Sequence, residues 1–465
     1  MGKMTIKQVA PFLVLASLAV VAIFIPTVAN FDTGNYNSAD IAWIIVATAM
    51  VFLMTPGLAF FYGGMVHRKN VISTMIKSMV AAGVISVLWV VVGYSLSFGD
   101  SLGGWIGNPL THLFFKGVAS GEPWVAAPTI PKTLFSVFQL MFAIITPALV
   151  VGAVAERIRF TSFILFIVLF SILVYAPLAH WSWHPEGILA KMGALDFAGG
   201  TVVHISAGCA ALAGALVLKR RQSHIEKKDI PPANIPYVLI GTGLLWFGWF
   251  GFNAGSAVAA NSLAVSAFAT TNTAAAAAGL SWMFFDLLRG RKPSVMGFCI
   301  GAVVGLVAIT PAAGFVAIPQ SVFIGVVAAI ISNIAVYYKQ KSKLDDTLDV
   351  FPCHGIGGMV GMLMTGIFAT KAVNAVGNDG WFYGNPTFFF TQLKAMGIAV
   401  VYSFAVSFAI FKFINFILPL RVSSKDEELG LDATQHNEKY LQGTLLVHGN
   451  GKMKDSEIMV EEEQH

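Results

Sequence analysis

Charged side chains are scarce in this chain. Asp, Glu, Lys and Arg make up 11% of the 465 residues, whereas hydrophobic residues make up 56%. Soluble domains carry about 25% charged residues, so the composition excludes an ordinary soluble protein and indicates an integral membrane protein. The small net charge of +5 gives no reason to expect nucleic-acid binding.

Cysteine is also rare. The three cysteines, Cys209, Cys299 and Cys353, are odd in number, far apart and all within apolar stretches. This distribution differs from the paired cysteines of a disulfide framework and from the clustered ligands of a metal site. We therefore expect no disulfide framework, no metal and no cofactor.

What the chain has instead is long apolar runs. A membrane-spanning helix needs about 20 mostly apolar residues. Runs of this kind, numbered here as spans 1 to 11, occur at residues 39–63, 75–97, 134–155, 160–180, 197–218, 235–257, 261–285, 294–309, 320–338, 352–370 and 388–419. The sequence predicts an all-α membrane protein in which eleven transmembrane helices form one bundle over residues 30–420, followed by a polar tail at 421–465.

The first 29 residues form a separate segment. Lys3 and Lys7 precede an apolar stretch at 12–25, which is followed by small residues up to Ala29. This order is typical of a secretory signal peptide. We expect cleavage near Ala29; if the segment is retained, it is an additional N-terminal helix.

Basic residues predict the orientation of the bundle. The loops after spans 1, 3, 5, 7 and 9 contain pairs or clusters of Arg and Lys, such as Arg68 with Lys69, whereas the opposite loops contain only scattered lysines. Loops rich in Arg and Lys stay in the cytoplasm. We therefore expect a multi-pass protein of the cell (inner) membrane whose tail, beginning at Arg421, is cytoplasmic.

Eleven spans also fit two inverted five-helix repeats plus one extra helix. Span 5 begins DFAGG and reaches His204, and span 10 begins with Asp349 and reaches His354. Because these two spans run in opposite directions, the histidines can meet near the middle of the bilayer. Ionisable residues inside a membrane mark functional sites, although a histidine there can also be a hydrogen-bonded core residue.

Polar and aromatic residues near the ends of the spans suggest a cation site. Asp196 begins span 5, where its carboxylate can cap the helix or attract a cation. Trp and Phe side chains are common at membrane interfaces, yet several of them around one hydroxyl, that of Ser256, can form a cation–π cage for a small ammonium-like ion. The candidates are Phe138, Phe142, Trp181, Trp183, Trp249 and Phe252.

Several motifs in order resemble one family. They are AFFYGGMVHRKNVIS (59–73), AERIRF (155–160), DFAGGTVVH (196–204), WFGFNAGS (249–256), TPAAGF (310–315) and DVFPCHG (349–355). Over about residues 38–440 the chain resembles the Amt/Mep/Rh ammonium transporters, and Trp183 favours the Amt branch of bacterial or archaeal type. One departure is WHPEGILAKMG after Trp183, where relatives often have a Gly-rich loop; it leaves Glu186 without an assigned role.

The resemblance implies the ammonium transporter fold, a homotrimer and specific site residues. Phe142, Trp183 and Ser256 would recruit ammonium or its analogue methylammonium, Phe142 and Phe252 would form a gate, and His204 and His354 would line the pore. Asp196, Trp249 and Thr310 would support them. The segment after Arg421 resembles the family's regulatory tail, which suggests a PII-type partner, and we expect disorder beyond about residue 443.

Physical chemistry suggests how such a pore discriminates. Bringing an unpaired cation into a low-dielectric pore costs several kcal/mol, whereas deprotonating an alkylamine at neutral pH costs about 4–5 kcal/mol. We therefore expect NH4+ to lose its proton and cross as NH3; the sequence leaves open whether the proton is transferred separately. The alternatives are an ammonium sensor that signals through its tail, a structural membrane subunit and an Rh-like gas channel; an enzyme is not expected.

Overall fold

Long apolar helices dominate the computed structural model, which describes residues 6–25, 36–119, 122–228 and 230–440. Ten described helices are long and apolar enough to cross a membrane, and the predicted span at 294–309 is a helix of 15 residues. In chain order the spans are Ser38–Met65, Arg68–Phe98, Lys132–Val154, Phe160–Lys191, Gly200–Leu218, Ile235–Gly255, Ser262–Leu288, Val295–Ile309, Ile318–Lys341, Phe351–Phe368 and Pro386–Ile417. The prediction of an all-α membrane protein with eleven spans is confirmed.

The segments outside the spans are short. Helix Ile6–Ile23 precedes span 1, and a two-stranded hairpin, Ser101–Leu102 with Ile106–Gly107, follows span 2. Two short helices, Ser424–Leu429 and Leu431–His436, form the described part of the tail. Ala29, at the predicted cleavage site, and the residues beyond 440 lie outside the described part of the chain, so the predictions of cleavage and of terminal disorder remain predictions.

The loops divide between two faces of the bundle. The tail face comprises residues 66–67, 155–159, 219–228, 289–294, 342–350 and 421–440, and the opposite face comprises residues 99–119, 192–199, 256–261, 310–317 and 369–385. The tail is bonded to the basic loops: Arg421 donates to the carbonyl of Leu218 at the end of span 5 (3.0 Å), and the backbone N–H of Gln222 donates to Glu427 (2.8 Å). Tail and basic loops thus lie on one face, as predicted.

Spans 5 and 10 have the same unusual start. Each begins with a π-helical turn, Gly200–Ile205 and Phe351–Ile356, and each turn carries one of the two histidines. A Cβ atom on Gly208 would lie 2.2 Å from the backbone nitrogen of Gly355, so only glycine allows the two backbones to approach this closely. Small residues therefore allow the two histidine-bearing turns to pack closely. The matching π-helical turns at the starts of spans 5 and 10 agree with the predicted inverted repeat.

Candidate functional site

Two stacked phenylalanines lie in the middle of the bundle. The rings of Phe142 on span 3 and Phe252 on span 6 have centroids 4.2 Å apart at an interplanar angle of 32°. Both side chains are buried, with 1% and 0% exposure. The two rings thus fill the space between span 3 and span 6 at this level.

Trp183 and Ser256 lie on the opposite-face side of this pair. Trp183 contacts Phe142 edge-on, with ring centroids 5.8 Å apart, and its indole N–H donates to the backbone carbonyl of Asp196 (3.0 Å). The hydroxyl of Ser256, one helical turn beyond Phe252, donates to the carbonyl of Phe252 (2.8 Å). The hydroxyl oxygen therefore keeps its lone pairs free to accept a hydrogen bond from a cation.

Two of the other candidate aromatics have different neighbours. Trp181 packs against Trp105 and Tyr402, and its indole N–H donates to the carbonyl of Trp105. Phe138 packs against the Phe142 ring and fills the space beside Gly255. The structure thus places Trp183 against Phe142, whereas Trp181, two residues earlier, packs against Trp105 and Tyr402.

Asp196 caps the π-helical turn of span 5. Its two carboxylate oxygens accept from the backbone N–H groups of Gly199 (2.8 Å), Gly200 (2.6 Å) and Thr201 (2.8 Å), and the Thr201 hydroxyl also donates to it. A carboxylate at a helix start satisfies N–H groups that have no partner within the helix. Asp196 therefore orients the turn that carries His204.

The two span histidines are in contact. Their Nδ1 atoms lie 3.4 Å apart, and the ring centroids are 5.5 Å apart at 26°. His204 and His354 are 1% and 4% exposed, and Nε2 of His204 is buried without a hydrogen-bond partner among the described residues. One proton can be shared between the Nδ1 atoms, which leaves Nε2 of His204 as a polar edge toward the adjoining space.

Trp249 packs against the His204 side of this pair. Its indole is nearly parallel to the His204 ring, with centroids 5.3 Å apart at 19°. The indole N–H donates to the hydroxyl of Thr310 (2.9 Å), and that hydroxyl donates to the carbonyl of Leu306 (2.7 Å). Trp249 and Thr310 are therefore supporting groups that fix the plane against which His204 lies.

Two narrow cavities lie between Phe252 and the tail face. The first is lined by His204, His354 and apolar side chains, namely Met54, Leu58, Phe61, Ile145, Leu149, Val203, Leu245, Trp249, Phe252 and Val303. The second is lined by Phe61, Tyr62, Met65, Ile300, Val303, Leu348, Cys353 and His354. His354 lines both cavities, so the imidazoles are the main polar groups along an otherwise apolar passage.

Sequence reasoning missed the carboxylate that caps span 10. It assigned Asp349 to the start of this span, but the cap is Asp346, whose oxygens accept from the N–H groups of Val350 (3.1 Å) and Phe351 (2.7 Å). Asp349 instead has a positive φ of 59° and pairs with Lys339. Two carboxylates three residues apart cannot be distinguished from sequence, because the choice depends on the backbone path.

The loop that departs from the family pattern is packed against the hairpin side of the bundle. His184 is stacked on His180, with centroids 4.3 Å apart, and its Nδ1 accepts from the N–H of Glu186 (3.1 Å). His180 donates through Nδ1 to the carbonyl of Ser97, so its Nε2 accepts from the Ser101 hydroxyl (2.8 Å). The side chain of Glu186 is exposed, and in the described part of the chain no hydrogen bond or ion pair links it to Phe142 or Phe252.

Comparison with known proteins identifies the family. A family model described as Ammonium Transporter Family matches residues 42–440. The chain is 45% identical over 412 residues to the ammonium transporter of Bacillus subtilis (strain 168), covering 87% of this chain and 99% of the relative. It is 46% identical over 402 residues to ammonium transporter Amt1 of Archaeoglobus fulgidus, covering 86% and 99%. The chain belongs to the ammonium transporter family.

Solved structures of this family have the same fold. The crystal structure of Saccharomyces cerevisiae Mep2 has a TM-score of 0.80 at 38% identity, with 86% of this chain and 91% of that chain covered. A protein described as a sensor Amt protein has a TM-score of 0.78 at 30% identity, with 86% and 98% covered. The predicted ammonium transporter fold is confirmed, and the chain is a multi-pass ammonium transporter rather than an enzyme.

Proposed function

We propose that the protein recruits NH4+ at Phe142, Trp183 and Ser256, removes its proton near the Phe142–Phe252 gate, and conducts NH3 past His204 and His354. The observation that carries this proposal is the apolar cavity between Phe252 and His354, whose polar lining is the histidine pair. A cation would have no counter-charge there and would pay several kcal/mol. Neutral ammonia needs only a hydrogen-bond partner.

Recruitment rests on complementary chemistry at the gate. The Trp183 and Phe142 rings meet edge to face, so the face of one ring is available to attract a cation. Ser256 adds an acceptor that distinguishes ammonium, which donates hydrogen bonds, from potassium, which does not. The backbone carbonyl of Asp196 accepts a hydrogen bond from the Trp183 indole, and its carboxylate accepts from the N–H of Gly199 at the start of span 5. Asp196 therefore supports the site by orienting Trp183 and the start of span 5.

The selectivity for ammonium over potassium follows from the proton that ammonium can lose. Deprotonating an alkylamine at neutral pH costs about 4–5 kcal/mol, which is comparable to the cost of bringing a bare cation into the pore. Potassium has no proton to lose and must pay the full cost of desolvation. The pore therefore excludes potassium by the same apolar lining that admits ammonia.

The proposal also covers the orientation of the protein in the membrane, its oligomeric state and its partner. The tail face is cytoplasmic, since it carries the basic loops, and the chain forms homotrimers in the cell (inner) membrane with one pore in each subunit. The tail is the docking region for a PII-type signalling protein. These assignments follow from the family and from the charge distribution.

The experiment is an ammonium concentration jump on proteoliposomes adsorbed to a solid-supported membrane, combined with uptake of labelled methylammonium. We expect uptake through the purified protein and no response to an equal potassium jump. The charge moved per transported substrate then tells whether the released proton follows the ammonia. An equal potassium response would contradict the proposal.

A second candidate function is ammonium sensing, which is favoured by the similarity to the sensor Amt protein. A sensor alone would bind ammonium without net transport. Uptake by the purified chain in liposomes excludes sensing as the sole function, whereas saturable ammonium binding without uptake would support it.

A further inference from the structure

Lys77 is a buried basic side chain that the conduction path does not use. It lies on span 2 near the tail face, with 1% exposure. Its ammonium group donates to the hydroxyl (2.6 Å) and to the carbonyl (2.9 Å) of Ser73. A buried charge is stable only when it is hydrogen-bonded and compensated by an opposite charge, and the carboxylate that acts on Lys77 is Asp432 of the tail.

Asp432 binds span 2 at the turn that also binds Lys77. Its carboxylate oxygens accept from the backbone N–H groups of Ile72 (3.1 Å) and Ser73 (2.7 Å). In return, the side chain of Asn70 accepts from the N–H of Leu431 (2.8 Å). Ser73 thus connects the two charges, because its N–H contacts Asp432 and its oxygens contact Lys77.

Gly430 makes this close approach possible. It has a φ of +102°, and a Cβ atom there would lie 2.6 Å from Cβ of Lys69 and 2.7 Å from the Lys69 carbonyl oxygen. The tail can therefore seat Asp432 on span 2 only with glycine at this position. The contact is a specific fit of two segments that are about 360 residues apart in sequence.

His436 lies one helical turn after Asp432, on the same side of the tail helix. Its ring contacts Phe160 edge-on, with centroids 5.0 Å apart. Its Nε2 atom is buried and has no hydrogen-bond partner in the described part of the chain. Burial lowers the pKa of His436, and the charge of Lys77 lowers this pKa further, so the docked imidazole is neutral at neutral pH.

The other charges near this contact are distributed over its neighbouring elements. Glu438 follows His436 on the same segment and opposes the effect of Lys77. Phe160 begins span 4 and brings no ionisable group to the ring. The short turn at the start of span 2 and the preceding tail helix, Ser424–Leu429, also pack on the terminal helix. They carry Arg68, Lys69, Lys425, Asp426, Glu427 and Glu428.

We propose that the tail, residues 430–440, docks reversibly on the start of span 2 and that protonation of His436 releases it. This contact is called the tail lock below. Neutral His436 allows residues 430–440 to dock beside the Lys77 ammonium group. A proton on His436 puts a second cation into the same buried contact, where no described acceptor receives it, and thereby releases the tail. This device senses the pH on the tail face and does not depend on how ammonium crosses the pore.

The pH range follows from the direction of the shift. A free histidine titrates near pH 6.5, and docking lowers this value. Docking is therefore fully favourable above about pH 7, and its equilibrium constant falls by up to about tenfold per pH unit below pH 6.5, until the pKa of the docked state is reached. Acidification, rather than alkalinisation, should release the tail.

The test measures the tail position directly in the full-length protein in lipid nanodiscs. Nitroxide labels are attached at the exposed positions Ala433 and Lys343, since the three native cysteines are buried. We expect one narrow distance at pH 8 and a second, broad population that grows between pH 6.5 and 5.5. An unchanged distance distribution over this range would overturn the proposal.

Three variants separate the tail lock from general acid sensitivity. His436→Leu should keep the tail docked at pH 5.5, and Lys77→Met should reduce the acid-released fraction at least threefold. His224→Leu, a histidine elsewhere on the tail face, should respond as the wild type does. If the tail of His436→Leu is already undocked at pH 8, that variant gives no information, and the Lys77→Met variant becomes the test. A Lys77→Met tail that is released by acid as fully as the wild-type tail would contradict the proposal.

Discussion

The indole of Trp249 and the imidazole of His204 lie nearly parallel, 5.3 Å apart at 19°. Trp249 is oriented by Thr310, whose hydroxyl accepts from the indole N–H. Both Trp249 and Thr310 are fully buried, so losing this acceptor has no compensation from water. The orientation of the pore histidine therefore depends on a hydroxyl that does not itself line the pore cavity.

Thr310→Val should lower transport by about tenfold, because an unpaired buried N–H costs about 1–3 kcal/mol and Trp249 would shift to relieve it. Methylammonium uptake into proteoliposomes, normalised to folded protein, measures this effect. Thr310→Ser is the matched control and should retain most activity, since it keeps the hydroxyl. Wild-type uptake by Thr310→Val would show that Trp249 is held by packing alone.

Ser256→Ala should raise the half-saturating ammonium concentration by about two- to tenfold and leave the maximal rate nearly unchanged. If Ser256 belongs to the proposed recruitment site, its hydroxyl contributes about 0.5–1.5 kcal/mol of hydrogen bonding to the bound ammonium. Concentration-dependent currents measure both parameters. Ser256→Thr keeps the hydroxyl and should preserve the affinity; an equal loss of affinity in both variants would mean that shape, and not hydrogen bonding, matters at this position.

Asp346→Asn tests the cap of span 10. An amide retains only one acceptor oxygen for the two N–H groups of Val350 and Phe351, so His354 should be less well positioned and uptake should fall. Asp349→Asn is the control, because Asp349 pairs with Lys339 instead of capping the span. Equal uptake losses in the two variants would contradict a specific capping role.

Asp346 also predicts a pH dependence of stability. Burial raises the pKa of Asp346 to about 6, above its usual value near 4. A carboxyl with a raised pKa stabilises the fold at low pH, and this contribution is lost as the pH rises through about 6. The total loss is about 3 kcal/mol and builds up from about pH 4, so between pH 5 and pH 8 the wild type should lose about 1.4 kcal/mol relative to Asp346→Asn. Thermal unfolding midpoints at the two pH values check the sign.

Arg221 holds the loops of the tail face together. It pairs with Glu156 (2.5 Å) and Asp345 (2.9 Å). Burial alone would raise the pKa of Asp345, but the hydrogen bonds and charge of Arg221 bring it below its usual range. Arg221→Ala leaves two buried carboxylates without their cation and should destabilise the protein by about 3–5 kcal/mol.

The pH dependence of the Arg221→Ala effect follows from these lowered pKa values. The stabilisation is present above about pH 4 and is lost as acid protonates the carboxylates. The deficit of Arg221→Ala should therefore stay near its full size from pH 7 down to about pH 4 and shrink only below pH 4, as followed by fluorescence-detected unfolding. Arg220→Ala, whose side chain binds His224 outside this network, should show little deficit at any pH.

Hydropathy and charge were sufficient to predict the spans and the side of the tail, because lipid imposes long apolar helices and basic loops follow one face. The contact of His204 with His354 was predicted from matching positions in antiparallel spans. Span 8 is shorter than its neighbours, at 15 residues, yet its apolar pattern was still visible in the sequence.

Other features depend on backbone path and long-range packing. The choice of Asp346 over Asp349 as the cap, and of Trp183 over Trp181 at the gate, depends on local turns that hydropathy does not encode. The contact of Asp432 with Ile72 and Ser73 joins the tail to a segment that is distant in sequence. A lone lysine in an apolar span indicates a partner, but it does not say which carboxylate supplies the charge.

The most direct test of the central claim is ammonium transport and potassium exclusion by His204→Ala in proteoliposomes, with Cys209→Ala on the same span as the control. The histidine pair is the main polar group in the pore cavity, so we expect His204→Ala to lose at least tenfold in uptake, to lose its discrimination against potassium, or both, while Cys209→Ala behaves as the wild type. Unchanged uptake together with unchanged potassium exclusion in His204→Ala would contradict the account.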